Sequence, residues 1–338
     1  MTNPPAFTGW EAVAALHKNG FFAWEPQDAP GVFKEPTHIL RETGGGEMLP
    51  TEEGIVPKFF AGTQMRPFSQ PGTSEYLSRT VNVELDGVTL ALGLRCMYGE
   101  PVAGVDPAPD VITPYSNRQW SQFLPARAIC GYWYVPTIGH VKFTDGQLYQ
   151  IQGTVPEGNE LITAQFGFHA GLAEFFSAAA GGYVAPAIAF PDFEGALTPA
   201  DASLLFDGQP LGFEGGLTFQ FNRPIDAGGR SGGRVVSFKP GSGYLDATIS
   251  TTLTGGRPDL VQVARAKPRQ LKPLELRLVQ GDVAAGGVSI VTKFPTAEIT
   301  SASAPISDGA VTTGIEFAAV IPNPAAKAFN IELNGAYS

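Results

Sequence analysis

Residues 161–170 read LITAQFGFHA. In an extended chain, successive side chains point to opposite faces. Ile162, Ala164, Phe166 and Phe168 therefore share one face, and Thr163, Gln165, Gly167 and His169 share the other. The same period of two recurs in 217–222 (LTFQFN) and in 243–254 (GYLDATISTTLT). In the latter, Thr248, Ser250, Thr252 and Thr254 oppose Ala247, Ile249, Thr251 and Leu253. Further alternating runs lie at 80–85, 274–280, 288–294, 297–300, 314–321 and 329–334, with turns between them. Many short strands separated by turns predict a mainly β fold of sandwich or barrel type.

Composition agrees. The 338 residues include 41 Gly, 29 Pro and 23 Phe, which disfavours helical bundles and coiled coils. With 16% charged and 43% hydrophobic residues, the chain is too apolar for a disordered protein. Length predicts about two domains. Residues 1–50, rich in Pro and Gly, are expected to be an irregular N-terminal arm with one short helix over 10–18. Residues 51–176 form the first expected unit. The uncharged 177–190 is the expected linker, and 191–338 the second unit. Each unit carries one helix-compatible stretch: 88–99, closed by Gly99, and 257–266. Asp145-Gly146 is expected to turn a hairpin between 141–143 and 147–155. The two units share an outline. Each is expected to end on an alternating strand, 164–168 in the first and 329–333 in the second, which suggests a duplication.

The net charge is −10. Residues 1–182 hold 10 basic against 18 acidic side chains, and residues 183–338 hold 12 against 14. A broad basic face that grips nucleic acid is therefore not expected, whereas a surface past which DNA slides is compatible. Cys96 and Cys130 are too few for a disulfide framework. Two buried thiols are expected, with a single bridge between them the other option. The opening MTNPPAFTGWEAVAA has neither a basic nor an apolar leader segment, so secretion is not expected. The weakly charged 175–190 is too broken by Gly and Pro to span a bilayer.

Chemistry-bearing motifs are sparse. Gly229-Arg230-Ser231-Gly232-Gly233 matches G-x-S-x-G, but it sits in a Gly-rich loop between strand-like stretches, whereas a nucleophile elbow needs a strand-to-helix turn. A hairpin tip is the better reading. His17, His38, His140 and His169 have no metal-ligand spacing. Asp106 and Asp110 sit in a Pro-rich loop and read as solvated turn residues. No catalytic residue, metal or cofactor is expected, and the chain reads as a non-enzyme. Trp120, Trp133 and Tyr134 could stack on sugar rings, which keeps a carbohydrate-binding module as an alternative.

The informative feature is the polar face of the strands. It carries Thr, Ser, Gln and Asn where ordinary exposed strands use charges to block edge pairing. Such faces suit a channel lining or a meeting of subunits; a sheet that is simply rich in Thr is the other reading.

The order of elements GLTFQFNRP, LDATISTTLT, PLELRLVQG, SIVTKFPTAEITSASAPISDGAVTTGIEFAAV and FNIELNG resembles the C-terminal part of long-tailed phage tail tube proteins. TVNVELDGVTLALGLRCMYGE resembles the N-terminal half of the two-domain members. The resemblance covers roughly 75–175 and 188–338. It implies two tandem tube domains, each with a short helix. It further implies homotrimeric rings with a continuous inner β-barrel, stacked into the virion tail as the conduit for DNA ejection. The implied partners are other copies of the chain, a tape measure, a terminator, a baseplate and transient DNA, with no membrane. Such a protein would be made in the host cytoplasm. On this reading Thr163, Gln165, Thr218, Gln220, Thr248, Ser250 and Thr252 face the lumen. The loop 222–234, with Arg223, Arg230 and Arg234, contacts the next ring. A terminator, hub or decoration protein of the same virion is the alternative within that class.

Overall fold

The computed structural model describes residues 21–29, 31–44, 51–52, 75–105, 108–114, 128–135, 138–170, 172–188, 195–228, 237–240, 246–253, 256–303, 306–307, 310–320 and 329–335. The chain is mainly β, with 57% strand. In the first half the elements are β1 (Phe21–Pro26), β2 (His38–Leu40), β3 (Glu42–Gly44), β4 (Thr51–Glu52), β5 (Glu75–Glu84), α1 (Gly87–Tyr98), β6 (Asp110–Ile112), β7 (Ile129–Val135), β8 (Gly139–Val155), β9 (Thr163–Ala170) and β10 (Leu172–Ser177). The second half has β11 (Ala202–Phe206), β12 (Gln209–Leu211), β13 (Phe213–Asn222), β14 (Ile225–Gly228), β15 (Ser237–Pro240), β16 (Asp246–Leu253), α2 (Pro258–Arg265), β17 (Lys272–Gln280), β18 (Val288–Ser303), β19 (Ile306–Ser307), β20 (Ala310–Val311), β21 (Thr313–Ala319) and β22 (Asn330–Gly335). Eighteen strands join one large antiparallel sheet, and no recorded pairing closes it into a barrel.

The pairing diagram repeats. Pairs β1–β2, β1–β7, β7–β8, β8–β10, β8–β9, β5–β9 and β3–β5 recur as β11–β12, β11–β17, β17–β18, β18–β22, β18–β21, β16–β21 and β13–β16. The register repeats too. Val81 pairs with Phe166 as Ile249 pairs with Phe317. The strand equivalent to β22 is thus β10, and β9 corresponds to β21, which corrects the matching of the two end strands. Ring contacts repeat as well: Trp24 meets Phe166 at 5.4 Å, and Phe206 meets Phe317 at 5.3 Å. These pairs stack one layer of each half on the other, within a single apolar core that crosses both halves. A satellite cluster of Phe21, Ala23, Ile39 and Tyr132 lies on the opposite side of β1.

One long strand organises each half, β8 in the first and β18 in the second. Residues 139–146 of β8 pair with β7 and β10, and 147–155 pair with β9 and β13. β18 likewise pairs with β17 and β22 over its first part and with β21 over its last. The expected Asp145-Gly146 hairpin is therefore a kink inside one strand. Asp145 takes a φ of 54° and is clamped by Gln27, whose Oε1 accepts the Asp145 N–H at 2.7 Å. The Asp145 carboxylate in turn accepts the Gly31 N–H at 2.8 Å. Asp207-Gly208, by contrast, does make a two-residue hairpin turn, with both φ values positive.

Part of the stretch expected to be irregular is strand. FFAWEP is wholly buried as β1, so it shows no alternation to read. The helix expected over 10–18 lies outside the described residues.

Helix α1 forms where expected. The Asp86 carboxylate caps it by accepting the Thr89 N–H at 2.7 Å, and Gly99, at φ 101°, ends it. Only Val88 and Arg95 of its twelve residues escape burial. Helix α2 is shorter, starts with Pro258 and fully buries only Leu260. Both cysteines are buried thiols, and no disulfide joins them.

Candidate functional site

The two halves join where Gln150–Val155 of β8 pair with Leu217–Asn222 of β13. That junction makes one sheet from β3, β5, β9, β8, β13, β16, β21 and the last part of β18. Alternation sends Val81, Val83, Phe166, Ile151, Phe219, Ile249 and Phe317 into the core. The intervening residues share the other face, and register places them in rows across the strands.

One row runs Glu84, Thr163, Thr154, Thr218, Ser250, Glu316, Ser301. The next runs Asn82, Gln165, Gln152, Gln220, Thr248, Ala318, Glu298. A third runs Thr80, Gly167, Gln150, Asn222, Asp246. Six of the seven lining candidates, Thr163, Gln165, Thr218, Gln220, Thr248 and Ser250, fall in the first two rows. Thr252 lies on the same face, opposite Gly314. None of the seven is buried. The strands thus bring all seven together on one face that spans both halves. Gln152, Thr154 and Gln150 complete the band. They are missed when β8 is read as the arm of a hairpin, because only the inter-half pairing puts them beside Gln220 and Thr218.

The rows contain no Lys or Arg, and their charges are the carboxylates of Glu84, Glu316, Glu298 and Asp246. Asp246 is raised above the usual carboxylate range by burial. The Gln220 amide donates to Asn222 Oδ1 at 3.0 Å, so neighbouring side chains of the band satisfy one another. A trough of about 420 Å³, bordered by Thr154, Thr218, Ser250, Glu316 and Ser301, follows the first row from the junction into the second half. At the other margin Tyr149 covers Gly167 and stacks on His169 at 4.5 Å. Burial lowers the His169 pKa.

Arg223 ends β13. Its backbone N–H donates to the Tyr149 carbonyl at 2.8 Å. Its Nε and Nη1 are enclosed in the protein, and burial lowers the guanidinium to about 10, against the opposing pull of Tyr98. Arg230, Arg234 and Ser231 lie outside the described residues. Trp133 is buried beneath the Arg79 guanidinium, 3.0 Å from the ring centroid. Tyr134 packs on Phe21 at 5.1 Å, and Trp120 lies outside the described residues. A second cavity of about 740 Å³ lies on the first half, bordered by Tyr132, His140, Phe176 and Tyr183. There the His140 Nδ1 and the Tyr183 hydroxyl share a hydrogen bond of 3.1 Å. Among the described residues no three His, Cys, Asp or Glu side chains gather as metal ligands would, and no helix is long and apolar enough to cross a membrane.

Comparison of the chain with protein-family models and with curated proteins returned no match.

Proposed function

We propose that the chain is the major subunit of a long-tailed phage tail tube. Each half acts as one tube domain, and three copies form a ring. Rings stack into the conduit through which DNA leaves the virion. The observation that carries this reading is the polar band that crosses both halves without a Lys or Arg in its rows. A duplex moving past such a lining neutralises few phosphates and releases few counterions, so little free energy holds it in place. Geometry is compatible. Each half contributes four strands to the sheet. Six halves at ~4.8 Å per strand, tilted by roughly 40° to the axis, give a circumference of about 150 Å and a diameter of about 48 Å to the backbone.

In this reading Thr163, Gln165, Thr218, Gln220, Thr248, Ser250 and Thr252 line the lumen. The loop around Arg230 and Arg234 meets the next ring, where assembly would protect Arg230 from protease. The buried Trp133 and half-buried Tyr134 favour packing over sugar stacking, which weighs against a carbohydrate-binding module.

The test is electron microscopy of the purified chain at rising concentration, with mass from light scattering. Rings of three copies or stacked hollow tubes are expected. Solid aggregates, or rings that turn Thr163 and Gln220 outwards, would overturn the reading. In tubes that assemble, Gln152→Lys with Gln220→Lys is expected to slow DNA release, and raised salt is expected to restore it.

A further inference from the structure

We infer that the first half binds an uncharged saccharide in the cavity of about 740 Å³ between β7, β8, β10 and the segment 180–188. This site goes beyond the tube reading and does not depend on it.

The internal repeat marks the place. Cross-strand pairs put Tyr134, His140 and Phe176 in one row on the outer layer of the first half. The equivalent row of the second half is Arg277, Val291 and Glu332. In the next row Tyr132 stands beside Lys142, as Glu275 stands beside Lys293. One pairing diagram thus carries two different outer faces. That of the second half is an ordinary wetted face, laced by the Arg277–Glu275 and Lys293–Glu332 pairs, each 2.7 Å long. In the first half, rings replace both acidic partners. Lys142, at the place of Lys293, forms no ion pair among the described residues and lies 3.9 Å from the centroid of the Phe33 ring.

Part of this ring surface is covered by the chain itself. Ile188 packs on the cluster that contains Tyr132, and the Tyr183 hydroxyl meets His140 Nδ1 at 3.1 Å. The cover is incomplete, because the cavity remains beneath it. Phe176 stacks on His140 at 4.7 Å and is still 40% exposed, so the ring is held in place while much of it meets solvent.

The polar groups around the cavity suit hydroxyls. Glu35 supplies an acceptor, held in place by the Tyr132 hydroxyl, which donates to its Oε1 at 3.0 Å. Lys142 supplies a donor. The backbone of 184–188 makes no hydrogen bond among the described residues, which leaves its N–H and C=O groups open to a ligand. One positive and one negative side chain give the site no net charge, which disfavours a phosphate. An aromatic ring flanked by donors and acceptors matches the apolar face and hydroxyl rim of a sugar. The volume falls within the roughly 300–1,000 Å³ of small-molecule sites. The platform is Phe176, not the packed Trp133 and Tyr134. Val141 and Phe143, on the other face of β8, point into the core, so the site and the polar band do not compete for space.

The experiment screens the full chain against an array of defined neutral and acidic oligosaccharides and against a random peptide library. Saccharides that bind are then titrated by calorimetry. Binding of neutral oligosaccharides is expected, weakened about tenfold or more by Phe176→Ala and by Glu35→Gln. Both side chains are exposed, so thermal melts of the two variants should match that of the parent. Arg277→Ala, at the second-half counterpart of Tyr134, should leave the affinity unchanged. An array on which no saccharide binds, or only acidic ones do, overturns the inference. So does binding that survives both substitutions, or a peptide that binds in place of any saccharide and is lost with Phe176→Ala. Rings or their absence in electron microscopy decide the tube reading separately.

Discussion

The helices α1 and α2 occupy the same place in a repeated pairing diagram and have opposite surroundings. α1 packs between the halves: a Cβ at Gly93 would lie 2.5 Å from the Phe166 ring, and Tyr98 meets Phe329 edge-on at 5.5 Å. Its sequence, GVTLALGLRCMY, is accordingly apolar nearly all round. α2, PDLVQVAR, buries one stripe and turns Asp259, Gln262 and Arg265 to solvent. The same topological slot selects different residues because one slot is covered by the second half and the other has no such cover among the described residues. A helix's composition here reports its neighbours more than its own half.

Four substitutions press on that contrast. The largest effect is expected at Arg79, whose guanidinium pairs with Glu42 and lies over Trp133. The equivalent position in the second half is the buried Ala247. Arg79→Ala copies the second half into the first and removes the guanidinium that pairs with the Glu42 carboxylate. It should cost about 3 kcal/mol in a denaturant melt, and Arg79→Met with Glu42→Leu should recover most of that. Next, Leu94→Ala on α1 should cost about 3 kcal/mol, and Val263→Ala on α2 about 1 kcal/mol. Equal losses would mean that the difference in cover does not matter. Asp86→Ala should cost about 1 kcal/mol through the lost α1 cap. α2 has no side-chain cap to lose.

The smallest effect concerns acid. Burial pushes the Glu25 carboxyl up, but hydrogen bonds from His38, Thr37 and Lys34 outweigh it and hold the group at about 2. A folded value below the ordinary 4.5 stabilises the protein above that pH, and the gain is lost as pH falls from there towards 2. Glu25→Gln should flatten that part of the acid melt. β11, the counterpart of β1, reads ASLLF and has no carboxylate to titrate.

Strands with one wet face announce themselves by period two, which is why β5, β9, β13, β16, β21 and β22 are legible in the sequence. Both helices are legible through Asp86, Gly99 and Pro258. β1 is hidden because burial on both faces erases alternation. The unity of β8 is hidden because Asp145-Gly146 has turn chemistry, and Gln27, 118 residues away, together with the Gly31 N–H, holds it as a kink. The same limit applies to the polar band. Parity within each strand assigns Thr163 or Gln220 to a polar face, but local sequence does not encode that Gln165, Gln152, Gln220 and Thr248 stand side by side. That order comes from long-range register, set by core residues such as Phe166 and Phe219 on the reverse of the same strands.

β8 and β18 each carry ladders in both layers of their half. A load that bends the polar side is passed to the outer layer as tension along a covalent backbone, without relying on side-chain friction between layers. Compliance is concentrated where the ladders shift register, at Asp145-Gly146 and Leu148–Gln150 in β8 and at Phe294–Ala297 and Ile299–Ser301 in β18. Each half therefore behaves as a frame with one continuous member, stiff against sliding of its layers and able to flex at known joints.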